Sequence, residues 1–200
     1  MTLAKALSED LQECKACGQA QYILNPDTDD CQPCPPGLAC RGDDMVTVRV
    51  AGSTWVRNGS FYRLTGCPTG YRVVSWTGSQ GVFDAAVQEC QPCSDGTECT
   101  LGSSCVTCSA CAAGKFKALQ SASPCQWCPA DTYNSMSGSK SESDCKPCPA
   151  LATTNGRTGQ TSLASCACPP QQLSLLDNVT GQIECKRCPK GGICASAIKH

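Results

Sequence analysis

Residues 125–170 read CQWCPADTYNSMSGSKSESDCKPCPALATTNGRTGQTSLASCACPP, and this stretch holds several closely spaced cysteine doublets. Doublets recur about every twenty residues along this part of the chain, at Cys108/Cys111, Cys125/Cys128, Cys145/Cys148, the shortened Cys166/Cys168, and Cys185/Cys188. A fixed repeat period of this kind predicts a linear array of small units, each too small to fold alone.

Two other positions recur within the units. The fifth residue after the second cysteine of a doublet is aromatic in three units, and the full set is Tyr22, Phe116, Tyr133, Thr153 and Leu173. We expect this side chain to cover the disulfide of its unit. A serine also lies four residues before the next doublet, at Ser121, Ser141 and Ser162, within polar stretches typical of turns and exposed loops.

The composition of the chain explains why cross-links are needed. Cysteine supplies 21 of the 200 residues, whereas Leu, Ile, Val and Phe together supply only 30. So little apolar mass cannot build a large core, and each disulfide would stabilise the fold by about 2–4 kcal/mol. Disulfides on this scale require an oxidising compartment, so the composition predicts an extracellular or cell-surface protein.

The charge balance excludes other classes. The chain has 16 basic and 17 acidic residues, which leaves no excess of positive charge for binding nucleic acid. No apolar run is long enough to predict a membrane-spanning segment. Residues 1–13 also lack the apolar run of a secretory signal, so we expect the chain to be a piece of a longer protein.

A second pattern, C-x-x-C-x-x-G-x-x-C, occurs three times, starting at Cys31, Cys90 and Cys185. Its glycines, Gly37, Gly96 and Gly191, are expected to adopt positive φ in a tight turn. The pattern predicts three small disulfide loops and a bridge from the isolated Cys67, as the pairs Cys34–Cys40, Cys93–Cys99, Cys188–Cys194 and Cys67–Cys90.

The stretch from Cys128 to Pro170 resembles tandem ephrin-receptor-like cysteine-rich repeats. The resemblance covers about residues 105–194 and, more loosely, 14–40, and these repeats are also similar to the first module of tumour-necrosis-factor-receptor cysteine-rich domains. It implies an extracellular rod without catalytic activity. Asp131 and Leu151 stand where the family prefers glycine, and Cys166–Cys168 shortens one doublet, so the resemblance does not predict the turns at these positions.

The near-constant spacing predicts serial disulfides, in which the second cysteine of one doublet bonds to the first cysteine of the next. The predicted pairs are Cys17–Cys31, Cys111–Cys125, Cys128–Cys145, Cys148–Cys166 and Cys168–Cys185. Spacing alone does not decide connectivity, and a crossed pattern, with Cys125–Cys145 and Cys128–Cys148, is the main alternative.

Between Cys40 and Cys90 the sequence changes character. Val46, Val48 and Val50 alternate with polar residues as in a half-buried strand, and six of the ten aromatic residues lie between Trp55 and Phe83. We interpret these aromatic side chains as a small core; the alternative is an exposed patch for a partner or a glycan.

The predicted fold class is therefore one of small disulfide-rich repeats: an elongated rod of short β-hairpins and disulfide-closed loops with a β-rich insert. The predicted segments are a helical segment with Leu3, Leu7 and Leu11 on one face (1–13), a cysteine-rich repeat (14–40), a β-rich aromatic insert (41–89), a cysteine-rich connector (90–111) and tandem cysteine-rich repeats (112–200).

Several chemical alternatives are weaker than the structural interpretation. The doublets Cys125/Cys128 and Cys145/Cys148 have the spacing of a zinc ribbon, but the doublets continue without isolated groups of four and the one histidine is His200. No doublet has the βαβ setting of a redox C-x-x-C. Asp27, Asp29 and Asp30 lack the rest of a calcium loop, and Arg41-Gly42-Asp43 resembles integrin-binding loops by motif alone. We expect no catalytic residue, metal or cofactor.

Two N-glycosylation sequons, at Asn58 and Asn178, predict attached glycans if the chain is secreted. With 21 cysteines one must lack a partner within the chain, and Cys14 is the candidate for an intermolecular disulfide, with Cys105 and Cys108 as the rival candidates. We therefore expect a non-catalytic extracellular structural protein that self-associates into a cell-surface fibre or filament of the flagellar-hair or adhesion type. The alternative is a ligand-binding receptor ectodomain.

Overall fold

The computed structural model describes residues 2–3, 14–77, 81–100, 104–170, 172–176 and 183–192. The chain forms two compact units, residues 1–93 with 99–108, and residues 94–98 with 109–200. The connector predicted at residues 90–111 is therefore divided between the two units.

The first unit contains twelve short strands among the described residues. They are β1 Thr2–Leu3, β2 Cys14–Lys15, β3 Gln21–Tyr22, β4 Gln32–Pro33, β5 Leu38–Cys40, β6 Val46–Val48, β7 Thr54–Asn58, β8 Phe61–Gly66, β9 Tyr71–Val74, β10 Trp76–Thr77, β11 Val82–Phe83 and β12 Glu89–Pro92. The second unit contains β13 Thr97–Glu98, β14 Ser109–Ala110, β15 Lys115–Phe116, β16 Gln126–Trp127, β17 Thr132–Tyr133, β18 Lys146–Pro147, β19 Gln172–Leu176 and β20 Ile183–Arg187.

The strands pair as two-stranded antiparallel sheets, and in the described residues no sheet grows beyond two strands. Nine of the pairs join successive strands, and β9 pairs with β12. Proline ends β4, β12 and β18, and it lacks the backbone N–H that a longer ladder would need. The predicted class of small disulfide-rich hairpin repeats is confirmed.

Single 3₁₀ turns lie at Ala85–Val87, Glu142–Asp144 and Leu163–Ser165. Two of these turns begin at the recurring serines. Ser141 Oγ accepts a hydrogen bond from the Ser143 N–H, and the Asp144 carboxylate accepts one from the Ser141 N–H. Ser162 starts its turn without a side-chain cap. Leu3 lies in β1 rather than in a helix, and residues 4–13 of the predicted helical segment lie outside the described residues.

Nine disulfides hold the described hairpins together, and five of them follow the serial pattern. These five are Cys17–Cys31, Cys111–Cys125, Cys128–Cys145, Cys148–Cys166 and Cys168–Cys185, with sequence separations of 14 to 18 residues. The structure also contains the small loop Cys34–Cys40 and the bridge Cys67–Cys90. The crossed pattern is absent from these nine bonds.

The prediction of a Cys93–Cys99 loop is wrong. Cys93 bonds to Cys108, and Cys99 bonds to Cys105. Cys99 and Cys105 lie along the segment that enters β9, where the Gly70 N–H donates to the Cys99 carbonyl at 3.2 Å and the Val73 N–H to the Cys105 carbonyl at 2.7 Å. These two hydrogen bonds bring Cys105 beside Cys99, and Cys93 is left to bond with Cys108.

The core of each unit is small and built largely from sulfur. In the first unit Leu64 packs with the Cys67–Cys90 disulfide, and Trp55, Tyr71 and Val73 cover it. In the second unit Phe116 packs against the Cys128–Cys145 disulfide. Phe116 is one of the side chains expected to cover a bridge, and it is buried. Buried disulfides thus occupy the places that Leu or Ile would take in a larger core.

Four described positions have the same turn three residues after the second cysteine of a doublet. At that position Gly96, Gly114, Asp131 and Leu151 all have positive φ, between 63° and 78°. The two non-glycine residues therefore keep the turn that glycine makes elsewhere. In the first two turns there is no space for a side chain, because a Cβ on Gly114 would lie 2.3 Å from the Gly159 carbonyl oxygen.

Gly37 departs from its predicted role. Gly96 and Gly191 have the expected positive φ, but Gly37 does not. Gly37 is needed because there is no room for a side chain: a Cβ would lie 2.6 Å from the Trp55 ring and 2.9 Å from the Gln88 carbonyl oxygen. The Gly37 N–H donates to that same carbonyl at 2.9 Å. Glycine at this position therefore permits close backbone approach.

Candidate interaction surface

The hairpin of β7 and β8 has two faces of different character. Its register pairs Trp55 with Leu64 and Arg57 with Tyr62, and this face turns toward the interior of the first unit. The Tyr62 ring packs on Tyr22 at 5.4 Å, and the Tyr62 N–H donates to the Tyr22 hydroxyl. Burial is the main cause that raises the pKa of Tyr22 above 10.0. These contacts attach the hairpin to the preceding cysteine-rich repeat.

A buried glutamine completes the inner edge of β8. Gln88 is fully buried; its Oε1 accepts from the Leu64 N–H at 2.8 Å, and its Nε2 donates to the Tyr62 carbonyl at 2.8 Å. The side chain thereby satisfies two backbone groups of β8 as a third strand would. No sequence pattern pointed to Gln88, because an isolated glutamine is usually exposed.

The outer face of the same hairpin carries an aromatic cluster. Phe61 and Arg63 lie on this face, and β11 places Phe83 against both of them. The Phe61 and Phe83 ring centroids are 5.8 Å apart, and the Arg63 guanidinium carbon lies 5.4 Å from the Phe83 centroid. Trp76 meets Phe83 edge-on at 6.4 Å. We call Phe61, Arg63, Trp76 and Phe83 the aromatic face.

Most of the aromatic face is exposed, which corrects part of the predicted aromatic core: Phe61 is half-buried, whereas Arg63, Trp76 and Phe83 are exposed. Trp76 and Phe83 keep 43% and 37% of their surface accessible, and the neighbouring Val82 keeps 64%. Trp55 and Tyr71 do pack on the Leu64 core. Phe61, Trp76 and Phe83 are not part of that core and lie together on the outer face of the hairpin. A contiguous cluster of exposed apolar side chains makes this face a candidate interaction surface.

The Asn58 sequon lies at the tip of this hairpin. Asn58 ends β7, and Gly59 and Ser60 form the two-residue turn into β8. Gly59 has φ +62°, as the first central residue of a type II′ turn requires. The Asn58 side chain is exposed, and its register partner is Phe61 of the aromatic face. Asn178 lies outside the described residues, so its glycosylation stays a prediction.

The second unit has buried polar residues six positions after the second cysteine of a doublet. Lys117, Asn134 and Thr154 occupy this position and are 3%, 2% and 1% exposed. Lys117 Nζ donates to the carbonyls of Thr97 and Ser121, and burial lowers the pKa of its ammonium group while Glu98 opposes this change. Each of the three side chains fastens a loop by hydrogen bonds.

Asp131 makes use of its non-glycine side chain. Its Oδ1 accepts hydrogen bonds from Thr153 Oγ1 at 2.5 Å and from the Thr154 N–H at 2.9 Å. These bonds, the one from Thr153 first, hold the pKa of the Asp131 carboxyl below its ordinary value of 3.8. The Thr154 hydroxyl in turn accepts from the Asp131 N–H. Asp131 therefore joins its own turn to the next repeat.

The tripeptide Arg41-Gly42-Asp43 is built into the fold. Gly42 is buried, its N–H donates to the Gln21 carbonyl, and a Cβ there would lie 2.3 Å from the Cys17 carbonyl oxygen. Asp43 Oδ1 accepts from the Met45 N–H. In the acidic stretch, Asp29 accepts from the Asn25 N–H within a turn. Both segments serve local structure.

The cysteines of the zinc-like group are bonded in other combinations. Cys125 bonds to Cys111, Cys128 to Cys145, and Cys148 to Cys166. Cys188 is also disulfide-bonded, but Cys194 lies outside the described residues, so the Cys188–Cys194 pair stays a prediction. The Cys14 side chain is not among those described, and its intermolecular bond stays a prediction as well.

The hairpins, the serial bonds and the repeated turns define a disulfide-rich protein of tandem cysteine-rich repeats. A family model described as tyrosine-protein kinase ephrin type A/B receptor-like matches residues 96–145. The same turn and serial bond continue past the match, at Leu151 and Cys148–Cys166. No curated protein matches the chain.

The bonds and the family match point to an extracellular or cell-surface location and to a receptor-like ectodomain. Cysteine-rich domains of this kind are in general non-catalytic. Within the described part of the chain, no helix has the length and apolar character that a bilayer crossing needs.

Proposed function

We propose that this chain is a non-catalytic segment of a receptor-type ectodomain, in which disulfide-clamped hairpins present a recognition surface outside the cell. The serial disulfide pattern is the observation that supports this proposal most directly. A disulfide joins each repeat to its neighbour, and the same turn recurs in the repeats. This arrangement suits a rigid extracellular support.

The geometry of the doublets favours a structural role over redox catalysis. In a redox-active C-x-x-C the two cysteines of one doublet bond to each other and the attacking thiol is accessible. Here Cys125 and Cys128 bond to different partners on either side, and both are buried. Reduction of either disulfide would disconnect two neighbouring loops and would not produce a pair of thiols within one C-x-x-C doublet.

The test is secretion of the full chain behind an added signal sequence from a eukaryotic cell, followed by peptide mapping without reduction. We expect a secreted, oxidised chain that carries Cys111–Cys125, Cys128–Cys145 and Cys148–Cys166. The matched control is the same chain expressed without the signal, which should stay reduced in the cytosol. A secreted chain with free thiols at these positions would contradict the proposal.

Self-association into a fibre stays a prediction. It rests on the composition and on Cys14, and no described contact supports it. Negative-stain electron microscopy of the secreted chain, with and without Cys14→Ser, tests it directly. Filaments that disappear in the Cys14 variant would favour a fibre subunit, whereas separate particles in both samples would favour the receptor-type ectodomain.

A further inference from the structure

We propose that an N-linked glycan on Asn58 folds over the aromatic face and covers Phe61, Phe83 and Trp76. The inference rests on the proposed extracellular function, because the glycan is added only in a secretory pathway. It assigns one occupant, an oligosaccharide attached to this chain, to the exposed aromatic cluster.

The hairpin register places the attachment point on the correct side. Asn58 and Phe61 are direct cross-strand partners, so their side chains project from the same face of the two-stranded sheet with Cβ atoms about 4.5–5.5 Å apart. Val56 and Arg63 form the next cross-strand pair on that face, and Val56 is 47% exposed. A sugar leaving Asn58 therefore starts beside the Phe61 ring.

The chemistry of the face suits a sugar. The pyranose ring has a C–H face that packs on aromatic rings through dispersion and apolar contact, and hydroxyl groups at its rim that need donors or acceptors. Phe61, Phe83 and Trp76 offer tilted and edge-on rings, while the exposed Arg63 guanidinium offers hydrogen-bond donors at their border. Exposed rings with a polar border would otherwise remain in water.

Attachment of the glycan is a substitution at the anomeric carbon and involves no redox change. The Asn58 side-chain nitrogen forms a bond with the anomeric carbon of a polyprenyl-pyrophosphate-linked oligosaccharide, and the bond from that carbon to the pyrophosphate oxygen breaks. The amide loses one proton to solvent, and the lipid pyrophosphate leaves with the electron pair. The Ser60 hydroxyl supplies the third sequon position.

The experiment compares the secreted chain before and after removal of its N-glycans by an amidase under native conditions. Hydroxyl-radical labelling with peptide mass spectrometry reports the accessibility of each ring. We expect labelling of Trp76 and Phe83 to be several-fold lower in the glycosylated chain. Trp127, which is 58% exposed in the second unit, is the internal control and should not change. Ser60→Ala, which keeps Asn58 but removes the sequon, should match the deglycosylated chain.

The outcomes separate this inference from the proposed function. A secreted, oxidised chain that is unmodified at Asn58, or one whose occupied Asn58 leaves Trp76 labelling unchanged, overturns the inference and leaves the ectodomain intact. Protection of Trp76 that depends on protein concentration in the deglycosylated chain identifies a second copy as the occupant and also overturns it. A chain that is not secreted in oxidised form removes the basis of both.

Discussion

Replacing Gly114 with alanine should open the second repeat turn of the second unit. Gly114 has φ +78°, and an added Cβ would lie 2.3 Å from the Gly159 carbonyl oxygen and 2.8 Å from the Gly159 carbonyl carbon. Both contacts are with backbone, which cannot rotate away. The Gly114 carbonyl accepts from the Cys128 N–H at 2.9 Å, so a displaced turn also loses its hydrogen bond to the next doublet.

The size of the effect follows from two separate costs. A left-handed conformation costs a non-glycine residue about 1–2 kcal/mol. Forcing a methyl group into a filled space adds about 1–3 kcal/mol. Gly156→Ala is the matched control, because Gly156 has φ +76° but a Cβ there would have no atom within 4 Å. The two variants share the first cost and differ in the second.

Hydrogen exchange with the disulfides intact measures the two local opening free energies. The reporters are the Cys128 N–H for Gly114→Ala and the Arg157 N–H, which donates to the Thr154 carbonyl, for Gly156→Ala. We expect protection to fall roughly 5–150-fold more in the first variant than in the second, since each 1.4 kcal/mol is a factor of ten. Equal losses would refute the close contact between the Gly114 and Gly159 backbones.

Three other predictions concern Gln88, the Cys93–Cys108 disulfide and Asp131. Gln88→Ala should speed exchange of the Leu64 N–H and destabilise the first unit by about 1–3 kcal/mol, because that buried donor loses its acceptor; unchanged exchange would contradict the bridging role. Peptide mapping without reduction should recover Cys93–Cys108, and recovery of Cys93–Cys99 would contradict the placement of Cys99 and Cys105 along the segment that enters β9. The Asp131 carboxyl should titrate below 3.8 by NMR and move toward that value in Thr153→Val. Because the folded pKa is lowered, the stability that Asp131 contributes is present above the unfolded pKa and should be lost as pH falls through the folded pKa. The free energy of unfolding of the unchanged chain should exceed that of Asp131→Asn at neutral pH, and this difference should decrease on acidification. A difference that stays constant would contradict the prediction.

Much of the fold was accessible from cysteine spacing. Where loops of similar length separate the doublets, a serial bond joins the two cysteines that lie closest in sequence on either side of a loop. Cys128–Cys145 and Cys148–Cys166 have this pattern. The same reasoning failed for Cys93 and Cys99. Their bonds depend on hydrogen bonds from Gly70 and Val73, which lie twenty or more positions earlier and are not represented in the local cysteine spacing.

The candidate surface was only partly accessible from sequence. The sequon at Asn58 and the concentration of aromatic residues after Trp55 are visible in the sequence, and both burial and exposure were open interpretations. Which rings lie outside depends on the strand register, because the alternation of side chains sends Tyr62 inward and Phe61 outward. The register also makes Asn58 the partner of Phe61.

The sequence by itself determined that this chain is a set of cross-linked hairpin repeats, because with 21 cysteines and few large apolar residues the chain must be held by disulfides. The tertiary structure alone decided how non-glycine residues enter the repeated turn, how Gln88 closes an edge and which aromatic rings stay exposed. These features depend on contacts between distant segments. Asp131 holds a left-handed turn with the help of Thr153 and Thr154 of the following repeat, a partnership that exists only once the chain has folded.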